Sequence, residues 1–230
     1  MPSPPVVPRR LTAPTETPRT LRGSGSHDVM VPHGRDGHHD DGHHRYRDHR
    51  LDAEIVSIVV GGCCVSSDPN VIITTTLGSC IATCLFDPVA GVGGMNHFLL
   101  PDGGSDTLSA SARYGSAAME QLINRMLTVT GRRDRLRAKV FGGAGVTGTR
   151  NSIGQRNIDF AMDYLATEGI PTISWDVGGT QARSVRFYPA TGRSQRRLVG
   201  GDAIRDITRS ESSFMERLRK TRIDGDIELF

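Results

Sequence analysis

Residues 74 to 100 read TTTLGSCIATCLFDPVAGVGGMNHFLL, and this segment predicts a β-hairpin. The first arm, 81 to 86, is apolar and β-prone, residues 87 to 91 have the composition of a turn, and a second apolar arm follows. With the turn centred between Pro88 and Val89, Cys80 lies directly opposite His97, and their Cβ atoms are roughly 5 Å apart. A slip of one residue would put the two side chains on opposite faces.

A thiol beside an imidazole indicates nucleophilic catalysis by cysteine, because the imidazole takes and returns the thiol proton. Gly78 and Ser79 suit a tight turn whose free N–H groups can bind an oxyanion. One of the threonine hydroxyls at 74–76 can orient the imidazole. The alternative is a structural cysteine and a core histidine. Against it, His97 is the only histidine after residue 50.

The chain divides by composition into three parts. Residues 1–50 hold seven of the twelve prolines, seven of the eight histidines and one aromatic residue, so we expect a disordered extension. Residues 51–200 are long enough for one domain with its own core. Residues 201–230 are expected to form a C-terminal helical extension or tail. The histidine-rich tract from 27 to 49 is interpreted as solvated, with weak binding of transition metals as the alternative.

Charge and hydropathy exclude several classes of protein. The first fifty residues carry eight arginines and six acidic side chains, which leaves +1 of the total charge of +3 for the rest, so no concentrated basic patch for nucleic acid is present. No apolar run reaches the ~18 residues of a transmembrane helix, and no apolar secretory signal is found. Four cysteines are too few for a disulfide scaffold. We expect a soluble cytoplasmic protein.

Two apolar stripes with helical spacing predict helices at 109–130 and 157–168. The stripes consist of Met119, Leu122, Ile123, Met126 and Leu127, and of Ile158, Ala161, Met162 and Leu165. Strands are predicted at 54–60, 71–75, 139–141, 172–175 and 184–188, and a third helix at 202–220. The order of these elements predicts an α/β fold, a layered sandwich in which helices pack on a mixed β-sheet.

The hairpin segment resembles the CheD family of chemoreceptor glutamine deamidases, whose pattern reads T-x-x-LGSC-x-A-x-CL-x-DP and then G-G-x-x-HF-x-LP. The likeness continues in RYG (113–115), KVFGGAG (139–145), IGQRN (153–157), DVGG (176–179), VRFY (185–188) and TGR (191–193). It extends from residue 56 to residue 199 in the order and spacing of the family.

The resemblance implies a Cys-His-Thr triad, with the active-site arrangement of papain-like and toxin-type deamidases. Cys80 matches the nucleophile and His97 the base. Counting back from the cysteine assigns the threonine to Thr74, with Thr75 as the fallback. The implied reaction hydrolyses glutamine side chains to glutamate through a thioester, without metal or organic cofactor. The same acyl-enzyme chemistry permits methylesterase activity.

The resemblance also implies the partners: the cytoplasmic helical region of methyl-accepting chemotaxis receptors, in receptor arrays, and a chemotaxis phosphatase of the CheC type. Gly142, Gly143 and Arg156 are candidates for the border of the substrate cleft, although a solvated or structural role is the preferred interpretation of Arg156. The glycine-rich loop lacks the Lys-Ser/Thr of a phosphate-binding P-loop. The cysteines at 63, 64, 80 and 84 lack the spacing of a zinc site.

Two other functions remain open at this point. The first is a non-catalytic chemotaxis adaptor that binds a phosphatase partner or a receptor. The second is a different thiol hydrolase, which would cut backbone amides or transfer acyl groups to amines.

Overall fold

The computed structural model describes residues 9–10, 43–100, 105–145, 153–200 and 202–220. The strands in these ranges are β1 (Arg9–Arg10), β2 (His43–Asp48), β3 (Ala53–Ile58), β4 (Cys63–Ser66), β5 (Val71–Leu77), β6 (Ile81–Asp87), β7 (Val92–Asn96), β8 (Arg137–Gly142), β9 (Thr172–Val177), β10 (Ala182–Tyr188) and β11 (Arg193–Val199). The helices are α1 (Ser105–Thr130), α2 (Ile153–Thr167) and α3 (Asp202–Lys220), with a 3₁₀ turn at Arg133–Arg135.

The strands form two mixed sheets. The first sheet has the order β1-β9-β8-β6-β7-β4 and the second the order β11-β10-β5-β3-β2. In the first sheet β8 and β1 run parallel to β9, and the remaining pairs are antiparallel. In the second sheet only β3 and β5 are parallel. The predicted α/β sandwich is confirmed, with its strands divided between two sheets rather than one.

The two sheets pack face to face around one hydrophobic core. Alternate residues of β6 and β5 point into it, because successive side chains of a strand point to opposite faces. The buried residues of this core are Val56, Ile58, Val60, Cys64, Val71, Ile73, Leu77, Cys80, Ala82, Cys84, Phe86, Met95, Leu99, Phe141, Val185 and Phe187. The site described below lies at the edge of this inter-sheet core.

Helices α1 and α2 cover the other face of the first sheet. Their apolar stripes, including Met119, Leu122 and Ile158, pack on the intervening residues of β6 and β8, such as Ile81 and Val140. Asn96 fastens the hairpin to α1, since its carboxamide donates to the Ala118 carbonyl oxygen and accepts from the Thr83 N–H. The result is three layers, with α1 and α2 outside the first sheet and the second sheet behind it.

The hairpin is confirmed, but its register differs by two residues from the predicted one. Cys84 pairs with Met95 and Asp87 pairs with Val92, and Ile81 bridges to Phe98. The turn is centred one residue further along, between Val89 and Ala90, and the Asp87 carboxylate stabilises it by accepting the N–H groups of residues 89 and 90, at 2.8 and 3.0 Å. Cys80 is therefore opposite residue 99 rather than His97. An even shift preserves the face of every side chain.

The start of the folded unit also differs from the expectation. The predicted disordered extension included residues 43–50, but His43–Asp48 forms an edge strand that pairs antiparallel with β3. Its side chains are mostly exposed and polar, which explains why the sequence shows no apolar pattern there. The rest of that extension, apart from Arg9–Arg10, lies outside the described residues. Strands β4 and β11 were not predicted either.

Gly142 should be intolerant of any side chain. Its φ is +113°, and a Cβ built there would lie 2.1 Å from the carbonyl oxygen of Cys80. We expect Gly142→Ala to lower the free energy of unfolding by about 3 kcal/mol, from backbone strain together with overpacking. Urea denaturation followed by circular dichroism measures the change.

Gly131→Ala is the matched control. Gly131 also has a positive φ, +61°, but a Cβ there would meet nothing within 4 Å. The control should cost only about 1 kcal/mol, the ordinary penalty of a left-handed residue. Equal losses in the two variants would contradict the contact with Cys80.

Candidate active site

The loop 78–80 that carries Cys80 connects the two sheets. It leaves β5 of the second sheet and enters β6 of the first. Its carbonyl oxygens are held from one side: that of Gly78 accepts the Ala144 N–H at 2.7 Å, and that of Cys80 accepts the Gly143 N–H at 2.8 Å. These bonds fix the loop as a rigid turn.

Asn157 of α2 provides the third support of this loop. Its Nδ2 donates to the Ser79 carbonyl oxygen at 2.8 Å, and its Oδ1 accepts the Leu100 N–H at 2.8 Å. The side chain is completely buried. Asn157 was quoted within a family motif but was not predicted to act at the site. A polar residue on the buried face of an otherwise apolar helix was the available signal.

Gly142 and Gly143 lie behind the loop 78–80. The N–H of Gly143 donates to Cys80, and the Gly142 carbonyl oxygen accepts the Gly178 N–H at 2.9 Å. The hydrogen bonds of both glycines are thus with protein backbone. Arg156 is partly buried on α2, and its place at the border of the substrate cleft stays a prediction.

His97 reaches the inter-sheet core from the strand next to Cys80. Its backbone exchanges hydrogen bonds with Gly61 and Gly62, at 2.7 and 3.0 Å, which continues the pairing of β7 with β4. Because Ile81 pairs with Phe98, Cys80 and His97 are diagonal neighbours on one face, with Cα atoms about 7–8 Å apart. Cys80 and His97 therefore lie on the same face of the hairpin, as expected, but they are not directly opposite each other.

The Thr75 hydroxyl determines the tautomer of the imidazole. Thr75 Oγ1 donates its only proton to the Ile58 carbonyl oxygen at 2.8 Å, and it lies 2.8 Å from His97 Nδ1. With its proton already used, Oγ1 must accept, so Nδ1 carries the proton and Nε2 carries the lone pair. Nε2 is buried and has no hydrogen-bond partner among the described residues. This is the nitrogen that can accept a proton from a thiol.

Thr74, to which the resemblance assigned this place, points the other way. Its hydroxyl donates to the Val185 carbonyl oxygen at 2.8 Å in the neighbouring strand β10. Successive residues of a strand face opposite sides, and Ile73 and Leu77 place the odd-numbered side chains of β5 between the sheets. The contact with the imidazole is thus made by Thr75, the fallback.

The thiol and the imidazole are both neutral in this arrangement. Burial, followed by the negative charge of Glu211 and a hydrogen bond with it, raises the pKa of the Cys80 thiol. Burial also lowers the pKa of His97 to about 4, opposed by the Ile58 carbonyl oxygen. Since His97 Nε2 makes no hydrogen bond to Cys80, the ion pair of an activated cysteine is not formed in this state.

Ser79 and the backbone of Cys80 supply the donors on the open side of the loop. Both are directed at one carboxylate, that of Glu211 in α3: Ser79 Oγ donates at 2.6 Å and the Cys80 N–H at 3.2 Å. Sequence reasoning missed Glu211, which lies 131 residues from Cys80 in the chain and in no motif.

The other cysteines lie in the hydrophobic cores. Cys84 belongs to the inter-sheet core, where burial raises the pKa of its thiol. Cys63 and Cys64 belong to the cores on opposite faces of β4. Within the described ranges, no three His, Cys, Asp or Glu side chains are grouped as metal ligands.

Comparison with known proteins supports the resemblance. A family model described as "CheD chemotactic sensory transduction" matches residues 99–197. A Caulobacter vibrioides protein named "Probable chemoreceptor glutamine deamidase CheD" is 48% identical over 177 residues, which cover 76% of this chain and 92% of that protein. A Vibrio vulnificus protein of the same name is 36% identical over 210 residues, covering 87% and 98%.

The chain belongs to the CheD family. The region matched by the CheD model begins after Cys80 and His97. The alignments with the two relatives are longer, and both residues lie within them. A solved Neisseria meningitidis protein, NMB0706, is 15% identical with a TM-score of 0.35, and the match covers 60% of this chain and 64% of that one. None of the described helices is long and apolar enough to cross a membrane.

The buried His97 of this CheD protein should make folding sensitive to acid. Its pKa is about 4 when folded, against 6.5 when unfolded, so between these values the unfolded chain binds more protons. Above pH 6.5 the free energy of unfolding is not reduced by this group. As the pH drops towards 4, protonation of the unfolded chain lowers the free energy of unfolding by about 3 kcal/mol in all.

His97→Gln removes this contribution while the carboxylates, which titrate in both proteins, remain. Urea denaturation of the two proteins at pH 7 and at pH 4.5 should show a smaller loss for the variant. An equal loss in both proteins would mean that His97 is not held neutral by burial.

Proposed function

We propose that this chain hydrolyses the side-chain amide of specific glutamine residues in methyl-accepting chemotaxis receptors, giving glutamate and ammonia. The observation that carries the proposal is the tautomer of His97. Thr75 fixes the proton on Nδ1, and the unprotonated Nε2 lies on the same face as the Cys80 thiol. The relatives support the substrate, because their printed name is that of a chemoreceptor glutamine deamidase.

The first half of the reaction forms an acyl-enzyme. His97 Nε2 takes the proton of Cys80, and the thiolate attacks the carboxamide carbon. The charge on the tetrahedral oxygen is stabilised by the Cys80 N–H and the Ser79 hydroxyl, while Gly78 leaves room beside them. The imidazolium then protonates the nitrogen, and ammonia leaves. A thioester between Cys80 and the substrate remains.

The second half hydrolyses this thioester. Neutral His97 accepts a proton from water, the hydroxide attacks the acyl carbon, and the returning proton restores the thiol. Each turnover consumes one water and releases one ammonia, with no change of oxidation state. Methanol can leave in place of ammonia, so a glutamyl methyl ester is a second substrate of the same chemistry.

In this proposal Thr75 rather than Thr74 is the third member of the triad. Its hydroxyl connects the imidazole to the Ile58 carbonyl oxygen and keeps Nε2 directed away from the second sheet. Asn157 is a positioning residue, since it holds the loop 78–80 without reaching the reacting atoms. Association with a phosphatase of the CheC type stays a prediction.

Cys80→Ala should abolish deamidation, because Cys80 is the thiol on the loop 78–80, whose Ser79 hydroxyl and Cys80 N–H are the proposed donors to the oxyanion. The matched control is Cys84→Ala, which truncates a buried cysteine of the same strand face, four residues further along β6. Cytoplasmic receptor fragments are incubated with each protein, and conversion of glutamine to glutamate is followed by peptide mass spectrometry.

Wild type and Cys84→Ala should convert the same glutamines, and Cys80→Ala none. Conversion by Cys80→Ala would remove the thiol from the mechanism. If the folded wild type converts no glutamine in a panel of receptors, the deamidase proposal fails and the non-catalytic adaptor takes its place.

A further inference from the structure

Helix α3 places a carboxylate where the reaction would place an oxyanion. One oxygen of Glu211 accepts the Ser79 hydroxyl proton at 2.6 Å, and the other accepts the Cys80 N–H at 3.2 Å. These are the two donors on the open side of the loop 78–80. A glutamate side chain of this same chain therefore occupies the polar end of the site.

The rest of α3 is fitted to the same surface. Ile207, Glu211 and Phe214 are spaced i, i+4 and i+7, so they lie on one face of the helix. Phe214 contacts the ring of Tyr114, with centroids 6.0 Å apart, and packs against the inter-sheet core. The helix is thus amphipathic, with its apolar face on the site. The exposed side chains on its other faces include Arg209, Ser210, Ser212, Ser213, Glu216 and Arg217.

The fit of α3 depends on the glycine at position 78. A Cβ at Gly78 would lie 2.9 Å from Glu211 Oε1 and 3.0 Å from Ile207 Cγ2. A Cβ at Gly61, where φ is +90°, would lie 3.4 Å from the Phe214 ring. Gly78 thus allows the close approach of α3, whereas beside Gly61 the same helix lies at an ordinary van der Waals distance.

From these contacts we propose that α3 occupies the substrate site in cis, with Glu211 in the place of the product glutamate. The idea rests on the proposed function, because a glutamate side chain presented by a helix is what deamidation of a helical receptor leaves behind. The site accordingly takes a glutamine or glutamate from an amphipathic helix, and a receptor helix must displace α3 to reach Cys80.

The state of the thiol agrees with an occupied site. Cys80 is 0% exposed, and Glu211 adds its charge and a hydrogen bond to the effect of burial in raising the thiol pKa. With α3 seated, the nucleophile is both covered and protonated. The helix follows the region matched by the CheD model, which ends at residue 197.

The first test converts Glu211 into a substrate. In Glu211→Gln the carboxamide lies against the same donors, so Cys80 should hydrolyse it: the amide nitrogen leaves as ammonia, water supplies the oxygen, and residue 211 returns to glutamate. Peptide mass spectrometry of the purified full chain detects this change. Combining Glu211→Gln with Cys80→Ala should leave the glutamine intact, and Glu216→Gln, on the exposed side of α3, should not be converted.

The second test measures access to the thiol without a substrate. Glu211→Ala should raise the rate of alkylation of Cys80 by iodoacetamide about tenfold, because the carboxylate that covers the loop and helps to keep the thiol protonated is removed. Peptide mapping separates Cys80 from the other cysteines. Glu216→Ala should react like wild type. On receptor fragments, Glu211→Ala should also raise kcat/KM.

The outcomes separate this inference from the proposed function. If wild type deamidates receptors, but the glutamine of Glu211→Gln stays intact and Glu211→Ala is alkylated no faster, α3 does not occupy the substrate site and the deamidase proposal stands. If Glu211→Ala is alkylated faster, but no protein deamidates a receptor and the glutamine of Glu211→Gln also survives, α3 covers Cys80. The deamidase proposal then fails, together with the product-like role of Glu211.

Discussion

The hydrogen bond between Thr75 and His97 joins the two sheets at the proposed active site. Thr75 belongs to the second sheet and His97 follows the last residue of β7 in the first. The Thr75 hydroxyl donates its proton to the Ile58 carbonyl oxygen. The imidazole can therefore only donate to the hydroxyl oxygen, and Nε2 is left as an acceptor. The sandwich therefore specifies a tautomer as well as a position. The same loop that carries the nucleophile connects these sheets, so the packing of the sheets and the geometry of the site depend on each other.

The sequence predicted the hairpin and the shared face of Cys80 and His97, because β-branched arms around a turn leave few alternatives. It did not predict the register, since the Asp87 carboxylate accepts two N–H groups within the turn and the turn is centred one residue further along the chain. The two-residue difference was harmless, because side chains alternate with a period of two.

The choice between Thr74 and Thr75 was readable in principle. In β5 the odd positions 71, 73 and 77 are all apolar, whereas two of the three even positions are threonine. That alternation turns Thr75 inward and Thr74 outward, against the simple count from the family pattern. By contrast, the position of Glu211 beside Ser79 is a contact between residues 132 apart, and no local pattern carries such information.

A neutral thiol and a neutral imidazole describe a resting site rather than an active one. Both pKa values are displaced by burial in the direction that disfavours charge, and Glu211 adds to the displacement for Cys80. A substrate carboxamide is uncharged, so in the place of Glu211 it would not repel the thiolate of Cys80. The family relationship and the geometry thus both support the proposed cysteine hydrolase, in which α3 covers Cys80.

The most direct test of this account is a pair of isosteric substitutions at neighbouring positions of β5. Thr75→Val and Thr74→Val each remove one hydroxyl bonded to a backbone carbonyl oxygen, but only the first touches the imidazole. Receptor deamidation is measured as kcat/KM for both variants and for Thr75→Ser, which keeps the hydroxyl. The account predicts a loss on the order of 10²-fold for Thr75→Val, near wild-type activity for Thr74→Val, and recovery in Thr75→Ser. A large loss confined to Thr74→Val would contradict it.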